Sequence, residues 1–580
     1  MSSAYALLKF QIGPVQDFIS QARSTRDLWS GSYMLSWLVA AGIRKLIADG
    51  GHLIFPNADG QPLLGNPGLW KELSGRLQKD LLTPNLPNLF VAEVLATDAL
   101  GIAEKVKMAV EAEWSNIAHS VWSIAGELCI NPEKKAIFDL QVAQHLSIAW
   151  QITPINGRDY AEAYRDNGWH LDSVRQTRDF KAAGGGQWRV GAEKDSLSGR
   201  EEALCGGPGF SSAMQKRGGE IASLFKHDDH VGAITLIKRV WHITHLRKNG
   251  LKTGTDDFVI RSIPAIAARS AELDDTRSTE LYSGDKYVAA IAFDGDSIGK
   301  WVDGRDLSPG TDLHKHHQNL SDSLSDFALN NARKIVETDH NGFLVYAGGD
   351  DVVALVPADA ALDCAKALRT AFRASTESIK DKQCTTPDAS AGIVIAHVHA
   401  PLQDLIRAAQ KAEKRAKNTV GRPAFSVTLM KRSGEISEWG SRWDSGGVEL
   451  YERITSLLDT NQLTTKFPYR VCQMLEPYLI AHSGLSKEAG TLKDVEDFAA
   501  SDIIHKEFVF AAERQGSMDA AQQLSVPLRS YLMKVPTVGK SGINSESQPL
   551  LSAIIGLCTT VAFAHRTRPE SKPSKLSAIA

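Results

Sequence analysis

Between residues 287 and 430 the apolar positions switch between two periods. Tyr287 to Phe293 (YVAAIAF), Phe343 to Ala347, Val352 to Val356, Ser390 to His397 and Phe425 to Leu429 are short apolar runs bounded by turn residues, the pattern of buried strands. Between them, three sets recur at helical spacing: Leu320, Leu324, Phe327, Ala328 and Ile335; Leu362, Ala365, Leu368 and Phe372; and Leu402, Leu405, Ala409, Ala412 and Ala416, ending near Lys417. The order β-α-β-β-α-β, followed by one more helix and strand, predicts a ferredoxin-like palm. A second strand–loop–helix pattern opens the chain: Tyr5 to Ile12 reads as a strand, Gly13-Pro14 starts a helix, and Phe18, Ile19 and Ala22 continue its apolar face. Helical patterns at Ile454–Leu458, Val471–Leu479 and Leu551–Phe563 predict an all-α C-terminal region. The expected fold class is α+β: a first palm with helical insertions over 1–183, a Gly-rich loop and helical linker over 184–283, a second palm over 284–433 and an all-α domain over 434–580. The Gly/Ser-rich stretch Gly184 to Ser212 reads as a mobile loop.

The chemistry gathers in the second palm. Gly348-Gly349-Asp350-Asp351 joins two predicted strands, and glycine accepts the positive φ of a tight hairpin turn. The turn therefore presents two adjacent carboxylates at a strand-pair tip. Asp294 ends the first strand of the same palm and is followed by Gly295-Asp296-Ser297-Ile298-Gly299-Lys300, a small-residue loop that offers backbone N–H groups to phosphate. In a palm, Asp294 and the hairpin tip lie on adjacent central strands. Three carboxylates converging on one point suit hard divalent cations such as Mg²⁺, which pair carboxylates with substrate phosphates. Asp294, Asp350 and Asp351 are the candidate catalytic residues and, with Gly295, the candidate metal site. Gly295, Asp296, Ser297, Ile298, Gly299, Lys300, Gly348, Gly349, Ser390 and Lys417 are the candidate nucleotide contacts. In the N-terminal palm, Gln11 and Ile12 stand where the strand-end carboxylate would be, so that palm is expected to lack a metal site.

A GGDD hairpin in a palm with a DGD strand resembles the nucleotidyl-cyclase and diguanylate-cyclase superfamily. Two longer stretches narrow the resemblance. Leu7 to Leu35 (LLKFQIGPVQDFISQARSTRDLWSGSYML) and Ser390 to Lys417 (SAGIVIAHVHAPLQDLIRAAQKAEKRAK) are similar to the polymerase/cyclase-like large subunit of type III-B CRISPR complexes, the Cmr system. The resemblance implies ATP as substrate, two Mg²⁺ or Mn²⁺ ions, and a cyclic oligoadenylate product made when target RNA binds; some relatives instead join ATP to S-adenosylmethionine. It also implies partners: the other Cmr subunits (the crRNA-end-binding, backbone and small helical subunits), crRNA and target RNA. A scaffold subunit with an idle palm and a freestanding cyclase are the competing readings, and the intact acids weigh against the first of these.

Two departures from the family pattern bear on function. Many relatives begin with an HD nuclease domain, whereas the first palm here starts within ten residues of Met1, so no nuclease is expected. The string His227-Asp228-Asp229-His230 reads as a solvated charge cluster. Relatives often carry paired CxxC motifs between the palms; the matching segments 195–199 and 231–239 lack a cysteine pair and Cys205 stands alone, so no zinc is expected. His242 and His245 read as packing or solvated residues, and His314, His316 and His317 as surface. Arg23, Arg26 and Trp29 are read as palm-packing residues.

Composition changes little. The six cysteines have no framework spacing, which points to a reducing compartment; no apolar run approaches the length of a transmembrane helix and Met1 to Lys9 does not read as a signal peptide, so a cytoplasmic setting without a membrane partner is expected. A formal net charge of −3 gives no global basic signature, so RNA contact is expected only along local patches. The basic tail Arg566 to Lys575 reads as a disordered end.

Overall fold

The computed structural model describes residues 5–73, 76–155, 157, 159–177, 192–226, 228–253, 258–269, 286–304, 307–308, 310–485, 493–535 and 550–568. Two sheets carry the fold. The first is antiparallel, built from β1 (Tyr5–Gly13), β2 (His52–Phe55), β3 (Leu89–Leu95) and β4 (Ser147–Pro154) in the order β2-β3-β1-β4. A small ribbon, β5 (Cys205–Gly206) with β6 (His230–Val231), lies in the linker. The second sheet contains β7 (Tyr287–Gly295), β8 (Phe343–Gly348), β9 (Asp351–Pro357), β10 (Ala389–His397), β11 (Ala424–Met430) and β12 (Ile436–Arg442), in the order β12-β11-β10-β7-β9-β8. Its β10-β7-β9-β8 portion repeats the arrangement β4-β1-β3-β2, so both sheets have ferredoxin-like topology. Ile12 pairs with Ile148 on β4 as Asp294 pairs with Ser390 on β10. A fully buried isoleucine thus occupies the position equivalent to Asp294.

The two faces of the second sheet belong to different cores. Val288, Ala290, Val345, Leu355, Val394 and Ala396 join a core shared with the first palm and the linker. Ala289, Ile291, Phe293, Val352, Ala354 and Ile393 face the helices Leu313–Asp326 and Ala361–Ser375 and the C-terminal helices. This follows from the period-2 alternation of a strand. On the first face, the helix Leu402–Arg415 lies directly on β10. Gly392 permits it, since a Cβ there would fall on the Glu413 amide and the Ala409 carbonyl. The region beyond 434, read as all-helical, begins with β12, which extends the sheet antiparallel to β11 before the helices start.

Several local readings change. The N-terminal helix breaks after Gln16–Ser20 and restarts at Thr25–Ala48, because Ser24 and Asp27 form a reciprocal capping box (Asp27 N to Ser24 Oγ 3.1 Å, Ser24 N to Asp27 Oδ2 3.3 Å). The HDDH string is not a solvated cluster: Asp229 is buried and accepts from Arg239 Nη1 (2.7 Å) and Arg23 Nη2 (3.0 Å); His227 lies outside the described residues. Removing one member of such a buried ion group costs about 3–5 kcal/mol. Trp29 is fully buried and donates to Leu82 O (3.1 Å). Residues 195–201 of the Gly/Ser stretch form a tight loop tied by buried Asp195. Its Oδ1 accepts from the amides of Leu197 (3.0 Å) and Ser198 (2.7 Å), and its Oδ2 from Gly232 N (2.8 Å). Residues 184–191, and the tail beyond 568, lie outside the described residues. No helix among the described residues is long and apolar enough to cross a membrane.

Two outcomes are expected. Gly392→Ala forces the Leu402–Arg415 helix off β10 and costs about 1–3 kcal/mol, read as a lower denaturation midpoint. His242 is buried, and burial, reinforced by Arg26 and Arg247, lowers its pKa to about 3. A histidine held neutral in the fold stabilises it above the unfolded pKa, ordinarily near 6.5. That contribution is lost as pH falls toward the folded value. Between pH 7 and 5 the loss is about 2 kcal/mol. His242→Leu should flatten that part of the stability–pH curve, measured by chemical denaturation.

Candidate active site

The site forms where β7 ends beside the tip of the β8–β9 hairpin. Gly349 has φ +68°, which turns the chain between the two strands. Gly348 is required for a different reason: a Cβ there would fall on the Tyr346 hydroxyl. An irregularity in β8 between Leu344 and Tyr346 offsets the register and re-aims that tyrosine toward the tip. Gly295 donates its amide to Asp350 O (3.2 Å), and a Cβ on it would stand 2.6 Å from Ile298 Cγ1 and 2.9 Å from Asp350 Cβ. The strand end and the hairpin can approach this closely only through glycine.

The approach brings Asp294, Asp350 and Asp351 together, with one carboxylate oxygen from each within 4.8 Å of the others. At an effective dielectric near 20, two like charges at that distance repel by about 3.5 kcal/mol, so the cluster calls for cations. Packing around the carboxyl pushes Asp350 up to about 6. The protein atoms crowding its carboxyl, then Asp350 and Glu413, push Asp351 well above the usual carboxylate range although the residue reaches solvent. The donor set is all hard oxygen, which fits a divalent ion of the Mg²⁺ or Mn²⁺ kind.

Lys417 provides one positive charge. It lies in a wide helical turn, Ala416–Gly421, that continues the Leu402–Arg415 helix, and its ammonium contacts both Asp294 and Glu413 (2.7 Å). Its side chain is 9% exposed, and burial, with Arg422 nearby, lowers it to about 8. Arg422, immediately after Gly421 at φ +95°, donates to Ser297 Oγ (2.9 Å) and lies 3.6 Å from Asp296 Oδ1.

The remaining loop residues divide. Ser297 adopts a left-handed conformation at φ +57° and starts the helix Ile298–Asp303; Gly299 and Lys300 are exposed, while Ile298 is buried. Asp296 turns inward: its carboxylate accepts from Ser390 Oγ (2.8 and 2.9 Å) and its amide donates to Asp388 O (2.7 Å). Burial raises Asp296 to about 6 against the opposing Ser390 bond. Asp388 is in turn gripped by Arg369 through two 2.7 Å bonds, and Arg369 reaches Asp444 (3.2 Å) beyond β12. Ser390 has no exposed surface and also accepts from Ala424 N (3.2 Å). It supports Asp296 from within the core, which corrects its reading as a nucleotide contact.

Glu413, Arg422 and Tyr346 were not singled out from the sequence. Glu413 precedes Lys417 by one helical turn, a spacing that carried the signal. Arg422 and Tyr346 depend on the wide turn and on the strand irregularity, which local pattern does not show.

Residues 287–426 match the family model of the Cas10/Cmr2 second palm domain, and residues 7–119 match that of the N-terminal region of the CRISPR-associated protein Cmr2. The Cmr subunit Cmr2 of Pyrococcus furiosus is 23% identical over 545 residues, covering 74% of this chain and 62% of that protein. The chain thus spans less than two thirds of this curated relative. Among solved structures, a type III-B Cmr-beta complex in its apo state aligns with a TM-score of 0.64 at 13% identity, over 97% of this chain and 82% of that one. The same complex bound to cognate target RNA gives 0.63 at 14%, over 97% and 83%. At this identity the structures establish the fold. Residues 7–119 and 287–426 are thus similar to the N-terminal region and the second palm domain of the Cas10/Cmr2 family.

Proposed function

We propose that this chain is the large subunit of a type III-B CRISPR effector whose second palm transfers nucleotidyl groups from ATP, making a cyclic oligoadenylate when target RNA is bound. The observation that carries the reading is the convergence of three carboxylates from adjacent strands with Lys417 directly on Asp294. Asp294, Asp350 and Asp351, with the Gly295 backbone, would hold the divalent ions. Such ions, when bound, lower the pKa of an attacking ribose hydroxyl and stabilise the charge developing on the transferring phosphate.

The protein's own groups account for the rest. Lys417 and Arg422 lie beside the carboxylates and neutralise the triphosphate as pyrophosphate leaves. The amides of Ser297, Ile298 and Gly299 would meet the phosphates, whereas the Asp296 amide is committed to Asp388. Asp296 and Ser390 act as the floor of this loop. Tyr346 fills the space over Gly348 and keeps the hairpin tip from collapsing onto β8. Among its described residues the first palm, with Ile12 where Asp294 would be, contributes no carboxylate cluster of this kind, and it acts as a brace. The partners are the other Cmr subunits, crRNA and target RNA. The acceptor, a second ATP or S-adenosylmethionine, is set by groups outside the metal cluster.

Incubating the assembled complex with labelled ATP, Mg²⁺ or Mn²⁺ and target RNA, with and without S-adenosylmethionine, should yield cyclic oligoadenylates by mass spectrometry. A methionine–adenylate conjugate would change the acceptor, and no product from a complex that binds target would make the chain a scaffold. Asp350→Ala with Asp351→Ala should lower synthesis at least about 10³-fold. Because Asp351 is exposed and Asp350 half-buried, assembly and RNA binding should persist, as checked by co-purification. Loss of assembly instead would make the tip structural.

A further inference from the structure

The helix Ile298–Asp303 starts in the candidate phosphate loop and is only six residues long. A helix of that length does not hold itself, and the carbonyls of its last turn have no partners within it. Two histidines of the helix Leu313–Asp326, read from the sequence as surface residues, supply those partners. His316 Nε2 donates to Trp301 O (3.0 Å) and His317 Nε2 to Val302 O (2.6 Å). Both imidazoles are buried.

These bonds fix the tautomer of His317. With Nε2–H committed to Val302 O, Nδ1 is an acceptor, and the Tyr160 hydroxyl donates to it at 2.9 Å. Tyr160 opens the helix Tyr160–Gln176, which belongs to the first palm. Tyr164 of the same helix packs on the His317 ring at 4.4 Å, and the Lys9 ammonium of β1 covers the Tyr164 ring at 3.6 Å. Burial pushes His317 down to about 4, so the neutral tautomer that the chain of bonds needs persists through neutral pH. An unbroken path then runs from the first palm through Tyr160, His317 and Val302 to Ser297. Its last part, from Val302 back to Ser297, is a helical segment about 7.5 Å long.

We propose that Tyr160 and His317 are positioning residues for the nucleotide, a clamp through which the first palm sets where the Ser297–Gly299 amides meet the triphosphate. Neither touches the reacting groups. The clamp gives the palm that has Ile12 at the matching strand end a task in the reaction and supplies a route by which a partner moving the first palm reaches the site. It rests on the nucleotidyl-transfer reading for the identity of the ligand but not for the mechanical link, and the two can be separated.

The test uses the full chain with Tyr160→Phe, which keeps the ring and removes the hydroxyl, and with His317→Gln and His317→Ala. Backbone hydrogen exchange at 297–303 reads the link without any nucleotide. Exchange should quicken about five-fold in Tyr160→Phe, what the net loss of one hydrogen bond amounts to. KM for ATP, or the dissociation constant of a non-hydrolysable ATP analogue, should rise about five-fold while kcat stays within about two-fold. His317→Gln, whose amide can still donate to Val302 O, should fall between the parent and His317→Ala. Unchanged exchange in Tyr160→Phe overturns the clamp whether or not the parent binds ATP. Faster exchange with unchanged ATP affinity overturns the positioning role and leaves a structural contact. A parent chain that binds no ATP overturns both the nucleotidyl-transfer reading and the pair's role toward nucleotide.

Discussion

Everything at the candidate site depends on how closely two pieces of backbone approach: the end of β7 and the tip of the β8–β9 hairpin, joined by the Gly295 N to Asp350 O bond. That approach forces three carboxylates into one small volume and creates an electrostatic problem that Lys417, Arg422 and a bound cation would resolve. It also explains why small residues gather here. Gly295 admits the hairpin, Gly348 admits the Tyr346 hydroxyl, and Gly392, under the neighbouring helix, admits the segment that delivers Glu413 and Lys417. Each glycine removes a different steric obstacle to the same convergence.

The strands of the second palm were legible because each is a short apolar run with a turn at its end, and the acids were legible because they sit at those turns. The carboxylate triad followed from topology alone. What the sequence hid depended on tertiary burial. His314, His316 and His317 look like a polar helix start, yet the latter two lie in the interface between the palms and bond carbonyls distant in sequence. Asp229 sits in a charged string and is nevertheless buried between two arginines, one of them more than 200 residues away. Ser390 opens a strand whose residues are nearly all inaccessible, and its hydroxyl turns toward Asp296 instead of toward a ligand. A polar residue has no local mark that separates solvation from a satisfied buried bond.

The two palms share a topology and differ at the matching positions. The second carries the clustered acids; the first carries a buried isoleucine at the matching strand end and, where the second has a tight hairpin turn, residues 56–88 join β2 to β3. Part of that insertion reaches the second sheet: Pro84 O accepts from Ala347 N at 3.0 Å, and the carbonyl of Lys79 and hydroxyl of Thr83 accept from Arg333. The first palm is thus wired to the hairpin on one side and to the Ile298–Asp303 helix on the other. Asp444, Arg369 and Asp388 make a third connection, from the segment after β12 to the amide of Asp296.

The second sheet gives one face to the core of the N-terminal half and the other to the core of the C-terminal half. A unit built this way is a poor candidate for exchange by recombination, because transplanting it alone would strip apolar cover from two unrelated neighbours at once. Diversification of such a chain is channelled into its loops and outer helices, and a new binding specificity is more readily gained there than by replacing the palm.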